Sequence, residues 1–236
     1  MTAEAPLELT VLPSPPGTEA YLAVLKPAGP TSGEVLLEAR RRFGDDLHLV
    51  HRLDRPTTGV LLLARGLDAL REAHEAWPER VTKTYLARTR GVPKPPEGTV
   101  DAPLLENRSG KPELLRRALR AAYGPTRAGL LVAGHRVLAI PVIPPPGRTA
   151  VHPAGREAQT DYRVLREEEG GALVEARPRQ GRMHQIRVHL EHVGAPVRND
   201  WLYDVDAEPG QPLFLQAVRL EWRRADGAVW VWEAGL

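Results

Sequence analysis

The 236-residue chain contains no cysteine. That excludes disulfides, zinc–thiolate sites and a thiol nucleophile, and it fits a reducing cytoplasm. Long apolar runs are also missing. No stretch approaches the roughly 20 residues of a membrane-spanning helix, and the N-terminus lacks the basic-then-apolar order of a signal peptide. A cytoplasmic protein without a membrane partner is expected. Lysine is scarce: Lys26, Lys83, Lys94 and Lys111 stand among 32 basic residues, so the other 28 are arginine. The formal net charge is only +2. Arginine grips phosphate through a planar fork and stacks on bases, so this bias fits an RNA partner. A GC-rich genome or a high growth temperature would produce the same bias. The length allows one domain with a large core, or one domain carrying an insertion.

What is present centres on His51-Arg52-Leu53-Asp54-Arg55-Pro56-Thr57-Thr58-Gly59, followed by the apolar run Val60 to Ala64. A carboxylate lies between two arginines, ahead of a Pro/Thr/Thr/Gly turn, with a run behind it that reads as a fully buried strand. Burial would raise the pKa of such a carboxyl and a paired guanidinium would lower it again. On spacing alone the simpler reading is an Arg–Asp pair closing a strand end, since structural ion pairs perturb pKa as well.

Taken in order, the proline-rich residues 1–18 read as a loose arm. Tyr21 to Lys26 reads as a strand entering a Pro/Gly turn. Ser32 to Phe43 has helical spacing, with Val35, Leu36, Ala39 and Phe43 inward and Gly44 as the stop. Leu67 to Trp77 reads as an amphipathic helix whose packed side carries Leu67, Leu70, His74 and Trp77. Val81 to Arg90 alternates as a half-buried strand, with Lys83 and Tyr85 on the same face. Tyr162–Leu165 and Ala172–Ala176 read as strands. A glycine turn at Gly181 opens a helix running to Gly194, with Ile186, Leu190 and Val193 inward and Arg187 able to reach a cleft. His189 and His192 share a face there; a helical surface is favoured over a metal site, because no carboxylate-bearing zinc motif accompanies them. Val218–Trp222 and Val229–Trp232 read as closing strands.

Three motifs carry a resemblance: His-Arg-Leu-Asp-x-x-Thr-x-Gly at 51–59, Lys-x-Tyr-x-Ala at 83–87, and Gly-Arg-Met-His-Gln-Ile-Arg-Val-His-Leu at 181–190. Their order and spacing resemble the RluA-type RNA pseudouridine synthases, as does Lys-Pro-x-Gly at 26–29. The resemblance covers roughly residues 20–106 and 147–222. It implies an α+β fold, with a mixed, mostly antiparallel central sheet flanked by helices and loops. It implies isomerisation of uridine to pseudouridine in an rRNA or tRNA stem-loop, with no cofactor, by an enzyme expected to be monomeric. By the same resemblance Asp54 is the essential carboxylate, Arg187 its partner, and Tyr85 stacks on the base and relays a proton. Arg52 fills the gap left by the extruded base. His51, Thr58, Lys83, Arg182 and Gln185, lying in the same motifs, are the expected substrate-binding positions. Whether the carboxylate adds to the sugar or assists elimination stays open.

The sequence departs from the family at Ala195 (usually His), Asn199 and Asp204 (Gly), Thr58 (Ser), Met183 (Thr or Ser) and Gln216 (His). Residues 107–146 lack a counterpart and read as an insertion in a catalytic domain spanning 19–236, and no accessory RNA-binding module is expected ahead of it. Within the insertion Glu113 to Tyr123 reads as a helix, Leu130 to Ile143 as an apolar stretch, and Pro144 to Gly147 as its close. Arg108 to Arg127 carries six basic residues against Glu113, which suits either a phosphate-gripping element or a solvated helix face. Two other function classes compete. One is a catalytically silent RNA-binding relative active in ribosome assembly. The other is a hydrolase using Asp54 and His51, which lacks a nucleophile elbow or metal motif.

Overall fold

A computed structural model of the chain describes residues 7–107, 131–133, 136–138, 144, 147–208 and 210–235. Thr10–Val11 (β1) pairs with Tyr21–Lys26 (β2). Helix α1, Ser32–Phe43, starts at a capping box in which the Thr31 hydroxyl accepts from the Glu34 N–H and the Glu34 carboxylate accepts from the Thr31 N–H. It stops at Gly44, whose φ of 110° favours glycine. Then come Leu47–Leu49 (β3), Thr58–Arg65 (β4), Gly66–Arg80 (α2), Val81–Arg90 (β5), Glu97–Asp101 (β6) and Leu104–Glu106 (β7). Leu131–Ala133 (β8), Arg136–Leu138 (β9), Thr149–Val151 (β10), Gln159–Glu168 (β11) and Gly171–Pro178 (β12) follow. Helix α3 is Gln185–His192, and Leu215–Arg223 (β13) and Val229–Glu233 (β14) close the fold.

The main sheet runs β1-β2-β4-β13-β5-β12-β11-β6, with β14 on β13 and β3 on β4. Every pairing in it is antiparallel except β13 with β4, which are parallel over Gln216↔Thr58 and Ala217↔Gly59. This is the mixed, mostly antiparallel α+β sheet the resemblance implied. Both faces of β4 are buried: Leu61 and Leu63 join one core with α1 and α3, while Val60, Leu62 and Ala64 join the other with α2. That two-sided burial is why the run reads as continuous rather than alternating. The second core gathers Tyr21, Trp222, Trp230 and Trp232, with ring centroids 5.1–6.4 Å apart. The first contains Leu53, Tyr85, Ile186 and Leu215, so all three motifs meet on its side of the sheet.

Three expectations are corrected. Helix α2 packs through Ala69, Ala73 and Ala76, while Leu67 is 59% exposed and His74 is exposed. The small alanines let the helix sit close on the sheet, with Leu70 and Trp77 packed beside them as expected, so only the Leu67 and His74 part of the expected face turns outward. His189 is not a surface residue: helix α3 is buried from Gln185 through Leu190, and both imidazole nitrogens are engaged, with the Thr160 hydroxyl at 2.8 Å and the Ala102 carbonyl at 3.0 Å. The proline-rich N-terminus is not loose throughout, because Leu9 and Leu12 are buried and β1 covers the edge of β2. Residues 1–6 of that arm lie outside the described residues.

The expected helix at Glu113–Tyr123 and the basic stretch Arg108–Arg127 also lie outside the described residues. So does most of 130–146, apart from a hairpin in which β8 pairs antiparallel with β9. On either side of the stretch 108–146, β7 pairs antiparallel with β10, Thr149 facing Glu106, and the Asn107 N–H donates to the Arg148 carbonyl. No helix among the described residues is long and apolar enough to cross a membrane.

Candidate active site

Asp54 sits on the loop between β3 and β4, and that loop is pinned from several sides. The Ser32 hydroxyl, at the start of α1, accepts from the Leu53 N–H at 3.0 Å and donates to the Leu53 carbonyl at 3.2 Å. The fully buried Lys26 ammonium donates to the carbonyls of Pro27, Arg55 and Thr57 at 2.9, 3.0 and 2.9 Å. Burial lowers its pKa to about 8, with Asp54 acting in the opposite direction. The Thr57 N–H donates to the Asp54 carbonyl, closing the turn. His51 accepts the Leu62 N–H on Nε2 at 3.0 Å and stacks on Trp77, 4.9 Å between centroids. Burial pushes its pKa down to about 3, so its ring is a neutral brace tying the motif to β4.

The Asp54 carboxylate is one-fifth exposed and meets the Arg187 Nη1 at 3.4 Å. Arg187, nearly sealed from solvent, gives its stronger fork to Asp200: Nε to Oδ2 at 2.6 Å and Nη2 to Oδ1 at 2.7 Å. Burial works against the guanidinium charge, but the Asp200 bonds outweigh it and raise the pKa. The guanidinium also lies over the Tyr203 ring at 5.2 Å. Tyr203 Oη accepts from the Thr149 N–H at 2.9 Å and lies 2.8 Å from His184 Nδ1. Pairing the phenol hydrogen with Nδ1 assigns the imidazole's own hydrogen to Nε2, which points toward Asp54 Oδ2 at 3.9 Å. His184 takes a left-handed backbone, φ 56°, at the start of α3. Burial, then Arg187, lower its pKa.

These groups open into a cavity of about 370 Å³, within the range of roughly 300–1,000 Å³ for small-ligand sites. Asp54, Arg187, Tyr85, Arg52, His51, Lys83, Arg182 and Gln185 all line it. Thr58 does not; the lining residue there is Thr57, because Thr58 already belongs to β4 and pairs with Gln216. Tyr85 projects from β5, and burial followed by the nearby Asp54 charge raises its hydroxyl pKa. Lys83 donates to the Gln180 carbonyl at 3.3 Å and lies 5.8 Å from the Trp77 ring centre, its pKa lowered by burial to about 8. Gln185 donates to the Gln159 carbonyl and the Thr160 hydroxyl and accepts from the Arg182 N–H, which fixes the turn before α3. Arg52 is exposed and lines both this cavity and a second hollow beside Asp54. Among the described residues no group of three or more His, Asp or Glu side chains is arranged to hold a metal ion.

Sequence reasoning missed Asp200, Tyr203 and His184 as parts of the site, and Lys26 and Ser32 as its supports. Asp200 and Tyr203 lay in a stretch noted only for its resemblance, and nothing in their spacing pointed at Arg187. A lysine closing a strand just before Pro-Ala-Gly was the available signal for Lys26.

The model of the RNA pseudouridylate synthase family matches residues 20–192. The chain is 34% identical over 171 residues to the mitochondrial pseudouridylate synthase RPUSD4 of Xenopus tropicalis, covering 70% of this chain and 48% of that protein. It is 33% identical over 196 residues to the ribosomal large subunit pseudouridine synthase C of Escherichia coli, covering 83% of this chain and 50% of that one. The chain thus spans about half the length of the curated relatives it matches. The solved human RNA pseudouridylate synthase domain containing 4 superposes with a TM-score of 0.65 at 25% identity, over 92% of this chain and 85% of that one. Motifs, fold and matched length agree, and the chain belongs to the RNA pseudouridylate synthase family.

Proposed function

We propose that the chain isomerises uridine to pseudouridine in an rRNA or tRNA stem-loop, as a cytoplasmic monomer, with Asp54 as the essential carboxylate. The observation that carries the reading is a partly exposed Asp54 carboxylate, 3.4 Å from Arg187, in a cavity also lined by Tyr85. The reaction breaks the bond from the sugar to the ring nitrogen and forms one to carbon five. One proton leaves that carbon and one arrives at the freed nitrogen, so nothing is oxidised and no cofactor is needed. Asp54 acts at the sugar, either by adding to it or by assisting elimination. Tyr85 covers the uracil and, as a phenol held protonated by burial, relays the proton: its oxygen takes up the carbon-five proton as its own passes to the freed ring nitrogen.

A stacked uridine cannot reach this cavity, so the base is extruded at a cost of about a few kcal/mol. Arg52, exposed at the rim between the two hollows, takes the vacated place in the stack. Lys83, Arg182 and Gln185 form the wall against which the base turns. The assay is release of tritium from carbon five of uracil-labelled, unmodified RNA. The wild-type chain releases it, and Asp54→Asn does not, while still binding RNA. Normal turnover by Asp54→Asn removes the assignment of Asp54; binding without any release by the wild type makes the chain a silent RNA-binding relative.

A further inference from the structure

Beside the cavity, on the other flank of Asp54, lies a second hollow of about 450 Å³ bordered by Leu49, Arg52, Arg187, Trp201 and Leu202. Its outer wall is an indole. Trp201 is 70% exposed, whereas Trp222, Trp230 and Trp232 are buried and Trp77 half-buried. A large aromatic ring left in water next to a functional carboxylate is an unusual use of the most costly apolar side chain to expose.

The turn that carries the indole is also held in place. It is closed by the Tyr203 and Asp204 N–H groups donating to the Asp200 carbonyl at 3.0 and 2.7 Å, and by the Leu202 N–H donating to Asp200 Oδ1 at 3.1 Å. Since the Asp200 carboxylate is locked onto Arg187, the backbone at Trp201 is tied to the residue that orients Arg187. The hollow shares Arg52, Asp54 and Arg187 with the cavity. The neighbouring nucleotide of a strand whose uridine occupies the cavity therefore has this groove directly beside it, across the shared Asp54 edge.

We infer that Trp201 is a stacking platform for an unpaired nucleobase adjacent to the extruded uridine, making the second hollow a subsite for the flanking nucleotide. The inference rests on the reading of the cavity as a uridine site. Stacking tolerates any base, because every base offers a π face, and one base–aromatic contact is worth about 1–3 kcal/mol, or roughly 5- to 150-fold in affinity. The platform grips the RNA without choosing its sequence.

The test uses the full chain and in-vitro-transcribed, unmodified ribosomal and transfer RNA. Binding is read by filter retention in an Asp54→Asn background, and KM and kcat by tritium release in the wild-type background. Trp201→Ala is expected to weaken binding and raise KM by about 5- to 150-fold, with kcat changed far less, and Trp201→Phe to recover most of the loss. Unchanged binding and KM in Trp201→Ala, or a fall in kcat alone, overturns the platform. If the wild type releases no tritium, the uridine-site reading fails by itself, and the binding comparison still decides whether Trp201 holds RNA.

Discussion

Removing the Asp200 charge separates support from chemistry. Both partners of the Arg187–Asp200 pair are sealed from solvent, with bonds of 2.6 and 2.7 Å. Asp200→Asn keeps the shape but turns one acceptor into an amide N–H facing a guanidinium N–H. Leaving a buried charge without its partner costs about 3–5 kcal/mol. For a chain of this size each kcal/mol shifts Tm by about 2–4 °C, so melting should fall by about 6–20 °C. Asp54 contrasts with this: its carboxylate is one-fifth exposed and touches Arg187 at 3.4 Å, so Asp54→Asn should cost about 1 kcal/mol or less. Freed from Asp200, the guanidinium shifts toward Asp54, and a misplacement near 1 Å costs about 100-fold in turnover. Thermal melting by circular dichroism and tritium release read the two effects. The double variant Arg187→Met/Asp200→Leu, which removes both charges, should melt above Asp200→Asn while remaining inactive. A drop in Tm of about 2 °C or less in Asp200→Asn, or a double variant that melts no higher, would refute the account of a buried, Asp200-oriented arginine.

Other outcomes follow from the same geometry. Gly59 has φ of 119°, and a Cβ there would meet the Ala217 backbone across the parallel pairing; Gly59→Ala should destabilise by about 3 kcal/mol or more, seen as a lower urea midpoint. Lys26→Met leaves the Arg55 and Thr57 carbonyls without their ammonium donor, so it should cost about 2–4 kcal/mol and lower kcat, with the circular dichroism spectrum unchanged. Lys83, lowered to about 8 by burial, is charged below that pH and neutral above it. KM for RNA should therefore rise above about pH 8, and Lys83→Arg, charged at any working pH, should abolish the rise. The sign for stability is the reverse: between about 8 and 10.5 the unfolded chain holds a proton that the folded chain lacks, so this residue makes stability increase with pH over that window.

The elements with strong local signals were legible in the chain. Helix α1 carries its capping box and its glycine stop within 14 residues, from Thr31 to Gly44, and in β5 Lys83 and Tyr85 are both buried as the alternation implies, although Thr84 between them is buried as well. The faces of α2 and α3 were legible in part. In α2 Leu70 and Trp77 pack inward as read, but the closest contact is made by alanines, which hydropathy does not single out. In α3 Ile186, Leu190 and Val193 pack inward as read, but burial extends around the helix from residue 185 to 190, beyond what that stripe implies. The meeting of Asp54 with Arg187 came from the resemblance, not from spacing, because 133 residues separate them. The actual orientation of Arg187 depends on Asp200, and only the fold brings that carboxylate against the far side of the guanidinium.

The departures from the family pattern become intelligible once the fold pairs them. Asn199 stands where glycine is usual, and it adopts φ of 62°, the conformation that glycine serves and asparagine tolerates. Its N–H is taken up by the carboxylate of Asp204 at 3.1 Å, the second position where glycine is usual, and the same carboxylate is held by Arg90 Nε at 2.9 Å. Thr58 and Gln216, two further departures, are register partners across the parallel β4–β13 step. The first pair makes a hydrogen bond between two altered positions on the turn that carries Asp200, Trp201 and Tyr203, and the second is a backbone pairing at the start of the strand behind Asp54. Met183 differs from both, since it lines the cavity and the second hollow. The paired departures therefore lie in the scaffold around Asp54 and Arg187, whereas the departure at Met183 lies in the wall of the cavity that Asp54, Tyr85 and Arg187 share.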